Sequence, residues 1–379
     1  MKHPLLRLAV ATAVSAILAG CAPGGHVDHA GTTAQGGASG GTTRHYFVSA
    51  DQVVWDYAPT GRNQVSGQPF GEQEDVFVRQ AADRIGRQYL KCVYRAYTDR
   101  AFTTQVARPA QEAYQGLLGP VIRAEVGDTI EVVFRNTCSF PASMHPHGVR
   151  YDKASEGAGY ADGTGTAHPS AAVPTGRTVT YTWHADERSG PGPMEGSTAM
   201  WMYHSHADEI SDVYAGLTGF LVITGRGRAR ADATPKDVDQ EVFGLFEVQD
   251  ENQSPLLQAN VRRFTRGPID LEDEGFVESN LMHAVNGYVY GNGPVVRLRK
   301  DQRVRWYLMG MGTEVDVHTP HWHGNTTLVN GMRTDVANLL PASMVTADMR
   351  PDAVGTWQFH CHVGDHIAAG MQARYEVDE

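Results

Sequence analysis

Short runs of alternating apolar and polar residues recur along most of this chain. Examples are TIEVVFRN, TVTYTWHA, GLTGFLVITG, EVFGLFEV and TWQFHCHV, and the runs are bounded by Gly, Pro, Asn and Asp. A period of two is typical of strands that bury one face, whereas helices repeat every three to four residues. The pattern therefore predicts an all-β protein of short strands and turns, arranged as a sandwich or barrel.

The pattern occurs twice. VIRAEVGDTIEVVF leads to MHPHG in the first half and VVRLRKDQRVRWYL leads to PHWHG in the second, so Gly148 and Gly324 match. A charged stretch of small residues at 226–237 separates the two copies. We expect two similar β domains, at 45–228 and 236–379, because each is long enough to bury its own core.

The amino-acid composition limits the classes of function that the chain can have. The chain has 379 residues with 32 Lys+Arg against 43 Asp+Glu, a net charge of −11, and no basic block, which excludes a nucleic-acid partner. The acidic, turn-rich segment 265–278 is expected to be a solvated loop. Histidine is unusually frequent, at 17 residues against 4 cysteines, which indicates a metal site with nitrogen ligands.

The N-terminus indicates export. Lys2 and Arg7 precede an apolar stretch that is too short to span a bilayer, so residues 1–20 are typical of a signal peptide. Leu-Ala-Gly-Cys, ending at Cys21, resembles the lipobox of bacterial lipoproteins, in which this cysteine is acylated. Residues 21–44 are rich in Gly, Thr, Ala and Ser and are expected to form a flexible tether. The mature protein is thus expected in the periplasm or at the cell surface, anchored through a lipid.

That compartment permits disulfides. Cys92 and Cys138 both lie in strand-like surroundings of the first half. They can pair with each other or remain two buried free thiols, and the sequence leaves both alternatives open.

Four His-x-His pairs distinguish this sequence. Residues i and i+2 of a strand project from one face, so each pair can direct two imidazoles toward the same site. The pairs occupy the same points of the duplicated domain, which argues for several metal ions rather than isolated packing histidines. They are His145/His147, His204/His206, His321/His323 and His360/His362.

Cys361 lies between the last two histidines and must point to the opposite face of its strand, where it serves a different metal. His318, His366 and Met371 lie near it in the sequence. Two histidines, a thiolate and a thioether are the ligands of a blue copper electron-transfer site. The matching position in the first half is Ser205, whose hydroxyl cannot replace a thiolate, so we expect one such site per chain.

These motifs together resemble those of the multicopper oxidases. HPHG, HSH, HTPHWHG and HCHVGDHIAAGM occur in the family's order, and YFVSADQVVWDYAP, DENQS and ESNLMHAVNGYVYG are similar to segments of ceruloplasmin and hephaestin. The overall length resembles that of the two-domain laccases. The resemblance implies two cupredoxin-like Greek-key domains, four coppers, and coupling of four one-electron oxidations to the reduction of O2 to two waters.

The resemblance also assigns ligands. It implies type 1 copper at His318, Cys361, His366 and Met371, and type 2 copper at His145 and His321. The type 3 pair would be held by the other six histidines of the pairs, namely His147, His204, His206, His323, His360 and His362. In two-domain relatives the three-copper cluster forms between subunits, which implies a homotrimer with clusters at its interfaces.

Reduction of O2 consumes protons, and the resemblance places Glu156 and Asp335 at the positions of proton relays. Both carboxylates can also be ordinary solvated loop residues. Tyr151 matches a tyrosine that lies near the cluster in two-domain laccases, and it can equally serve only in packing.

The reducing substrate is less constrained. A phenol needs only a cleft beside His366, whereas Fe(II) needs hard oxygen ligands there. Asp365 matches a carboxylate at the iron site of ceruloplasmin, and Glu314 and Asp316 precede His318, although all three can be solvated charges. We expect a laccase-like phenol oxidase, with a ferroxidase or other metallo-oxidase as the alternative. More remote alternatives are a copper nitrite reductase, which would leave several histidines unused, and a non-enzymatic copper or electron carrier.

Overall fold

The structure is a computed structural model that describes residues 41–163 and 168–379. The predicted signal peptide, Cys21 and nearly all of the predicted tether lie outside the described residues. Contacts group Ser39–Glu379 into one compact unit. Within the described residues, no helix is both long enough and apolar enough to cross a bilayer.

Eight strands come from the described residues of the first half of the chain. They are β1 (Thr43–Asp56), β2 (Gln88–Tyr97), β3 (Ile122–Glu125), β4 (Thr129–Asn136), β5 (His145–Pro146), β6 (Thr178–His184), β7 (Thr198–His204) and β8 (Thr218–Thr224). One sheet has the order β2-β1-β4-β6, and the other has the order β3-β8-β7-β5.

Ten strands come from the second half. They are β9 (Gln240–Asp250), β10 (Leu281–Val285), β11 (Val296–Arg299), β12 (Val304–Gly310), β13 (Pro320–Trp322), β14 (Thr327–Val329), β15 (Met332–Thr334), β16 (Met344–Met349), β17 (Gly355–Cys361) and β18 (Gln372–Asp378). They form the sheets β10-β9-β12-β16-β14-β15 and β11-β18-β17-β13.

The two halves share one topology. Each strand of the first half has a counterpart at the same place in the sheets of the second half. In chain order, the counterparts of β1 to β8 are β9, β10, β11, β12, β13, β16, β17 and β18, and β14 and β15 are added at one edge. The parallel pairs β1–β4 and β3–β8 recur as β9–β12 and β11–β18. The all-β cupredoxin-like class and the internal duplication are thereby confirmed, while the domain boundaries 45–228 and 236–379 stay a prediction.

Each pair of sheets encloses its own apolar core, because alternate strand residues point inward. Val132 and Trp183 of one sheet pack with Leu221 of the other in the first half. Trp306 and Phe359 do the same in the second half.

A further apolar cluster joins the halves. It includes Met202 and Phe220 from the first half with Phe243 and Tyr307 from the second. Arg305 adds polar contacts, since its guanidinium donates to the hydroxyl oxygens of Ser197 at 2.7 Å and Thr198 at 2.9 Å.

The same structural constraint explains why glycine occupies both matching positions. Gly148 and Gly324 have φ of +73° and +71°, in the left-handed region that favours glycine. A Cβ at Gly148 would lie 2.0 Å from the ring of Trp201, and one at Gly324 would lie 2.5 Å from the ring of Trp357. Both copies of the motif therefore require a residue without a side chain directly after the second histidine.

Five short α-helices occupy connections between strands in the part of the chain that the structure describes. They are α1 (Glu72–Val78), α2 (Glu209–Ala215), α3 (Leu257–Phe264), α4 (Glu274–Ser279) and α5 (Gly364–Ala368). The expectation of a solvated loop at 265–278 is wrong for its last part. There the Asp273 side chain accepts from the backbone N–H of Phe276 and caps α4, and the Phe276 side chain is buried.

The structure joins Cys92 and Cys138 in a disulfide, which settles the alternative that the sequence left open. Both residues are fully buried in the core of the first half. The bond ties β2 to the segment that follows β4, across a loop of 46 residues.

Candidate metal centres

The predicted thiolate site is assembled in the second half. One nitrogen each of His318 and His366 and the sulfur of Cys361 all lie within 4.8 Å of one another, and all three residues are buried. The sulfur is 4.0 Å from Nδ1 of His318 and 3.7 Å from Nδ1 of His366. Met371 is fully buried in the same core, and its backbone oxygen accepts from the Cys361 N–H.

The surroundings of Cys361 favour the thiolate form of its side chain. Burial opposes it, but hydrogen bonds from the two histidines prevail and lower the pKa of Cys361 to about 6. The backbone N–H groups of Thr319 and Val363 also point to the sulfur, each at 3.4 Å. A thiolate that is stabilised in this way is a good ligand for a soft metal ion.

Asp316 was expected either at an iron site or as a solvated charge, and the structure corrects both expectations. Its carboxylate is fully buried and accepts from the His318 ring and from the backbone N–H groups of Thr313 and Val248. Burial lowers the pKa of His318, but Asp316 and Cys361 outweigh it and raise that pKa. Of the two carboxylates in this segment, Glu314 is the exposed one.

The second-half histidine pairs converge into one cluster. Centroid distances between neighbouring rings run from 4.7 to 5.3 Å, and His321, His360 and His362 each offer a nitrogen within 4.8 Å of the other two. His323 joins through Nε2, 2.9 Å from Nε2 of His360. Cys361 faces the other site from the same strand, as the alternation of side chains predicts.

The first-half pairs form a second cluster of the same kind. Ring centroids are 5.1 Å apart for His145 and His206 and 5.3 Å apart for His147 and His204. Nε2 of His147 lies 3.1 Å from Nε2 of His204. These side chains are brought together by β5 and β7, whose register pairs His145 with His204.

The donor set of both clusters fits a metal ion. Burial, followed by repulsion from neighbouring histidines, lowers the pKa of His147 to about 4, and burial lowers the pKa of His204 to about 3 and of His360 to about 4. Neutral imidazoles keep the lone pair that a metal needs. Nδ1 of His321 is buried without a hydrogen-bond partner, as expected of an atom reserved for a ligand bond.

Within one chain the clusters are separate. Among residues 41–163 and 168–379, ring contacts and hydrogen bonds connect the histidines inside each cluster, but none connects one cluster to the other. Both clusters reach the surface: His145, His147 and His206 are half-buried and His362 is exposed.

In the first half, the position that matches Cys361 is occupied by Ser205, which is hydrogen-bonded to a buried carboxylate. Ser205 donates to the carboxylate of Asp212 at 2.6 Å, and both side chains are buried. Burial raises the pKa of Asp212 to about 6 despite that bond. The position that matches Cys361 carries no thiol, and one blue copper site per chain stays a prediction.

The two relay candidates differ in burial. The backbone oxygen of Glu156 accepts from Nδ1 of His145 at 2.7 Å, and its carboxylate is held by Lys153 and Tyr160 at 2.7 and 2.8 Å. Burial opposes ionisation of Glu156, but these two partners lower its pKa. Asp335 is more exposed, with Oδ2 3.5 Å from Nε2 of His321.

Tyr151 also lies beside the first-half cluster. Its ring centroid is 5.8 Å from that of His145. The tyrosine suggested by the resemblance is therefore in contact with a cluster histidine.

His283 was missed by the sequence reasoning. Its ring centroid lies 5.3 Å from that of His366, and its Nδ1 donates to the Leu281 carbonyl at 2.9 Å, which leaves Nε2 with a lone pair. Burial, with repulsion from His366, lowers its pKa to about 4. The only signal was its place in the segment ESNLMHAVNGYVYG, because no second histidine stands two residues away.

Two family models described as multicopper oxidase match this chain, at residues 96–228 and 265–379. Human hephaestin is 42% identical over 344 residues, which are 89% of this chain and 29% of that protein. Human ferroxidase HEPHL1 is 41% identical over 90% of this chain and 30% of its own length, and human ceruloplasmin is 41% identical over 89% and 32%. The chain thus spans about 30% of the length of these relatives.

Solved structures share the fold. A multicopper oxidase, mgLAC, superposes with a TM-score of 0.57 at 19% identity, covering 89% of this chain and 87% of that one. A blue copper oxidase from Nitrosomonas europaea gives 0.53 at 17% identity, covering 88% and 86%. Because both family models match, the chain belongs to the multicopper oxidase family.

Proposed function

We propose that this protein is a copper-dependent oxidase that takes electrons one at a time from a metal ion, Fe(II) in particular, and delivers four of them to O2 to give two waters. The observation that carries the proposal is the strand β17. It carries Cys361 of the thiolate site and His360 of the histidine cluster, and His362 of that cluster follows directly after it, so that two metal centres are linked through a few covalent bonds.

The residues would hold four coppers per subunit equivalent. Copper supplies one-electron redox chemistry at the thiolate site and binding and reduction of O2 at the histidine cluster. The proposed ligands are His318, Cys361, His366 and Met371 for type 1, His145 and His321 for type 2, and His147, His204, His206, His323, His360 and His362 for type 3. All ten motif histidines are then employed, which argues against a nitrite reductase with a single three-histidine site.

The oxygen site is proposed to form between subunits of a homotrimer. One chain presents its two four-histidine clusters separately and near the surface, so each lacks the other half. Exposed apolar side chains lie in both halves. Ile210 and Tyr160 adjoin contacts of the first-half cluster, and Val317 and Leu340 adjoin the thiolate site at His318, with exposures of 45 to 59%. We infer that these side chains are covered where the two faces meet in the trimer.

A metal ion is favoured as reductant over a phenol, which corrects the initial preference for a laccase. Relatives at 41 to 42% identity are named ferroxidase and hephaestin. The structure adds His283 beside His366, and the exposed carboxylate of Asp365 adjoins His366 in α5. A neutral imidazole and a carboxylate suit a divalent iron ion at the edge of the electron-accepting site.

Glu156 and Asp335 are proposed as proton relays, each placed beside one cluster. Export to an oxidising compartment is supported by the disulfide between Cys92 and Cys138. Acylation of Cys21 remains part of the proposal and falls outside the described residues.

Oxygen uptake tests the proposal. With Fe(II), Cu(I) and a substituted phenol as reductants, we expect the highest kcat/KM for Fe(II), and His283→Ala should raise KM for Fe(II) while phenol oxidation is unchanged. A higher kcat/KM for the phenol would contradict the ferroxidase assignment. Cys361→Ser should remove the blue absorption and turnover but leave the other coppers bound, whereas a plain electron carrier would consume no O2 in any form.

A further inference from the structure

A cavity of about 490 Å³ lies away from both candidate metal centres, at the junction of the two halves. Its walls include Trp55, Tyr94, Arg95 and Arg108 from the first half and Tyr288 from the second. None of the histidine clusters or thiolate-site residues lines it. Its size is that of a small-molecule site.

Arg95 has no counterion. In the described part of the chain its only hydrogen bond runs from Nη1 to the Tyr94 carbonyl oxygen, at 3.5 Å, and no carboxylate lies within ion-pair distance. Burial, then repulsion from Arg108, lowers the pKa of Arg95 to about 10, although Asp51 partly opposes this. A half-buried guanidinium without an ion-pair partner destabilises a fold unless an anion compensates it.

The other charges of the cavity do not compensate Arg95. Arg108 donates to the backbone oxygens of Gly116 and Leu118, and no carboxylate of the described residues lies at ion-pair distance from it. Arg123 is paired with Glu241 at 2.8 Å. Glu112 also lines the cavity, and burial lowers the pKa of Arg108 although the negative charge of Glu112 partly opposes this. The lining therefore has an excess of positive charge, although the net charge of the chain is −11.

Flat apolar groups stand beside these cations. The rings of Trp55 and Tyr288 are 5.0 Å apart, and Trp55 is fixed because its Nε1 donates to the Gly287 carbonyl. Aromatic walls next to a guanidinium favour a planar ligand that carries a negative group.

We propose that this cavity binds a planar organic carboxylate, with the carboxylate paired to Arg95 and the flat body against Trp55 and Tyr288. The ligand is distinct from the reductant, since the cavity has no contact with the metal centres. Because Trp55 and Tyr288 come from different halves, an occupied cavity stabilises their junction and raises the Tm of the whole fold.

Calorimetric titration and thermal unfolding of the full copper-containing protein test this, with benzoate as the probe. We expect saturable binding of benzoate below about 10 mM and a Tm that rises with its concentration. Benzamide, which has the same shape without charge, should do neither. Inorganic phosphate, which has charge without the flat body, should bind at least about ten-fold more weakly.

Arg95→Gln should weaken benzoate binding at least about ten-fold. The matched control Arg100→Gln removes an exposed charge just after β2 and should bind as the wild type does. Arg95→Lys keeps the positive charge and serves as a second variant in case Arg95→Gln is poorly folded. It should bind benzoate more tightly than Arg95→Gln and more weakly than the wild type. Absence of benzoate binding to the wild type, equal binding of benzamide or phosphate, or equal binding to Arg95→Gln would overturn the proposal.

Discussion

Oδ1 of Asp316 lies 3.2 Å from Nε2 of His318, and neither side chain is accessible to solvent. The carboxylate also accepts from the backbone N–H groups of Val248 and Thr313, at 2.7 and 2.8 Å. Asp316 therefore sets the tautomer and the orientation of the His318 ring, with Nδ1 turned toward Cys361.

Asp316→Asn should weaken copper binding at the thiolate site about 10- to 100-fold. An asparagine has one acceptor oxygen for three donors, so His318 or a backbone N–H loses its partner. The blue absorption measured during copper titration reports the affinity directly. Glu314→Gln is the control, because Glu314 is exposed two residues away, and equal affinities of the two variants would show that Asp316 has no such role.

Gly324→Ala should destabilise the protein by more than about 3 kcal/mol, since the new methyl would lie against the Trp357 ring and φ is +71°. Gly331 has φ of +76° but nothing within 4 Å of a built Cβ, so Gly331→Ala should cost only about 1 kcal/mol. Denaturant unfolding of both variants measures the difference. Similar losses would mean that the contact with Trp357 relaxes freely.

Removal of the disulfide by the double change Cys92→Ala and Cys138→Ala should lower the free energy of unfolding by about 2 to 4 kcal/mol, because it frees a loop of 46 residues in the unfolded chain. The wild type in reducing denaturant should match the double variant. A variant as stable as the oxidised wild type would refute this contribution.

Asp212 should make the copper-free protein less stable as the pH rises. Its pKa is about 6 in the fold against 3.8 as the ordinary value, so the folded state binds more protons than the unfolded state between these limits. This contribution is full below about pH 4 and lost by pH 6 to 7, and amounts to about 3 kcal/mol.

Asp212→Asn keeps the bond from Ser205 but cannot ionise, so its stability should fall less over the same interval. Unfolding free energies of both proteins from pH 4 to pH 7 give the comparison. Parallel curves would show that Asp212 ionises as easily in the fold as in the unfolded chain.

The strands and the thiolate site could be predicted from the sequence because successive side chains of a strand point to opposite faces. Thus Cys361 and its two histidine neighbours could be assigned to opposite faces of one strand in advance. The duplication could be predicted because the same motifs occur twice in the same order. The sequence could not place His283 against His366, since that contact depends on how β10 packs, nor reveal that Asp316 is buried. The helix α4 was missed because its one fully buried apolar side chain, Phe276, lies in an acidic segment.

Oxygen reduction is expected to need the first-half cluster of one subunit and the second-half cluster of another. Co-expression of a His145→Ala/His147→Ala chain with a His321→Ala/His323→Ala chain, each with its own tag, tests it most directly. In mixed trimers purified through both tags, one of the three interfaces combines two intact clusters, so O2 consumption should recover to about a third of the wild-type rate, while each variant alone is inactive. Mixed trimers that stay inactive, or a monomer of the wild type with full activity, would contradict the account.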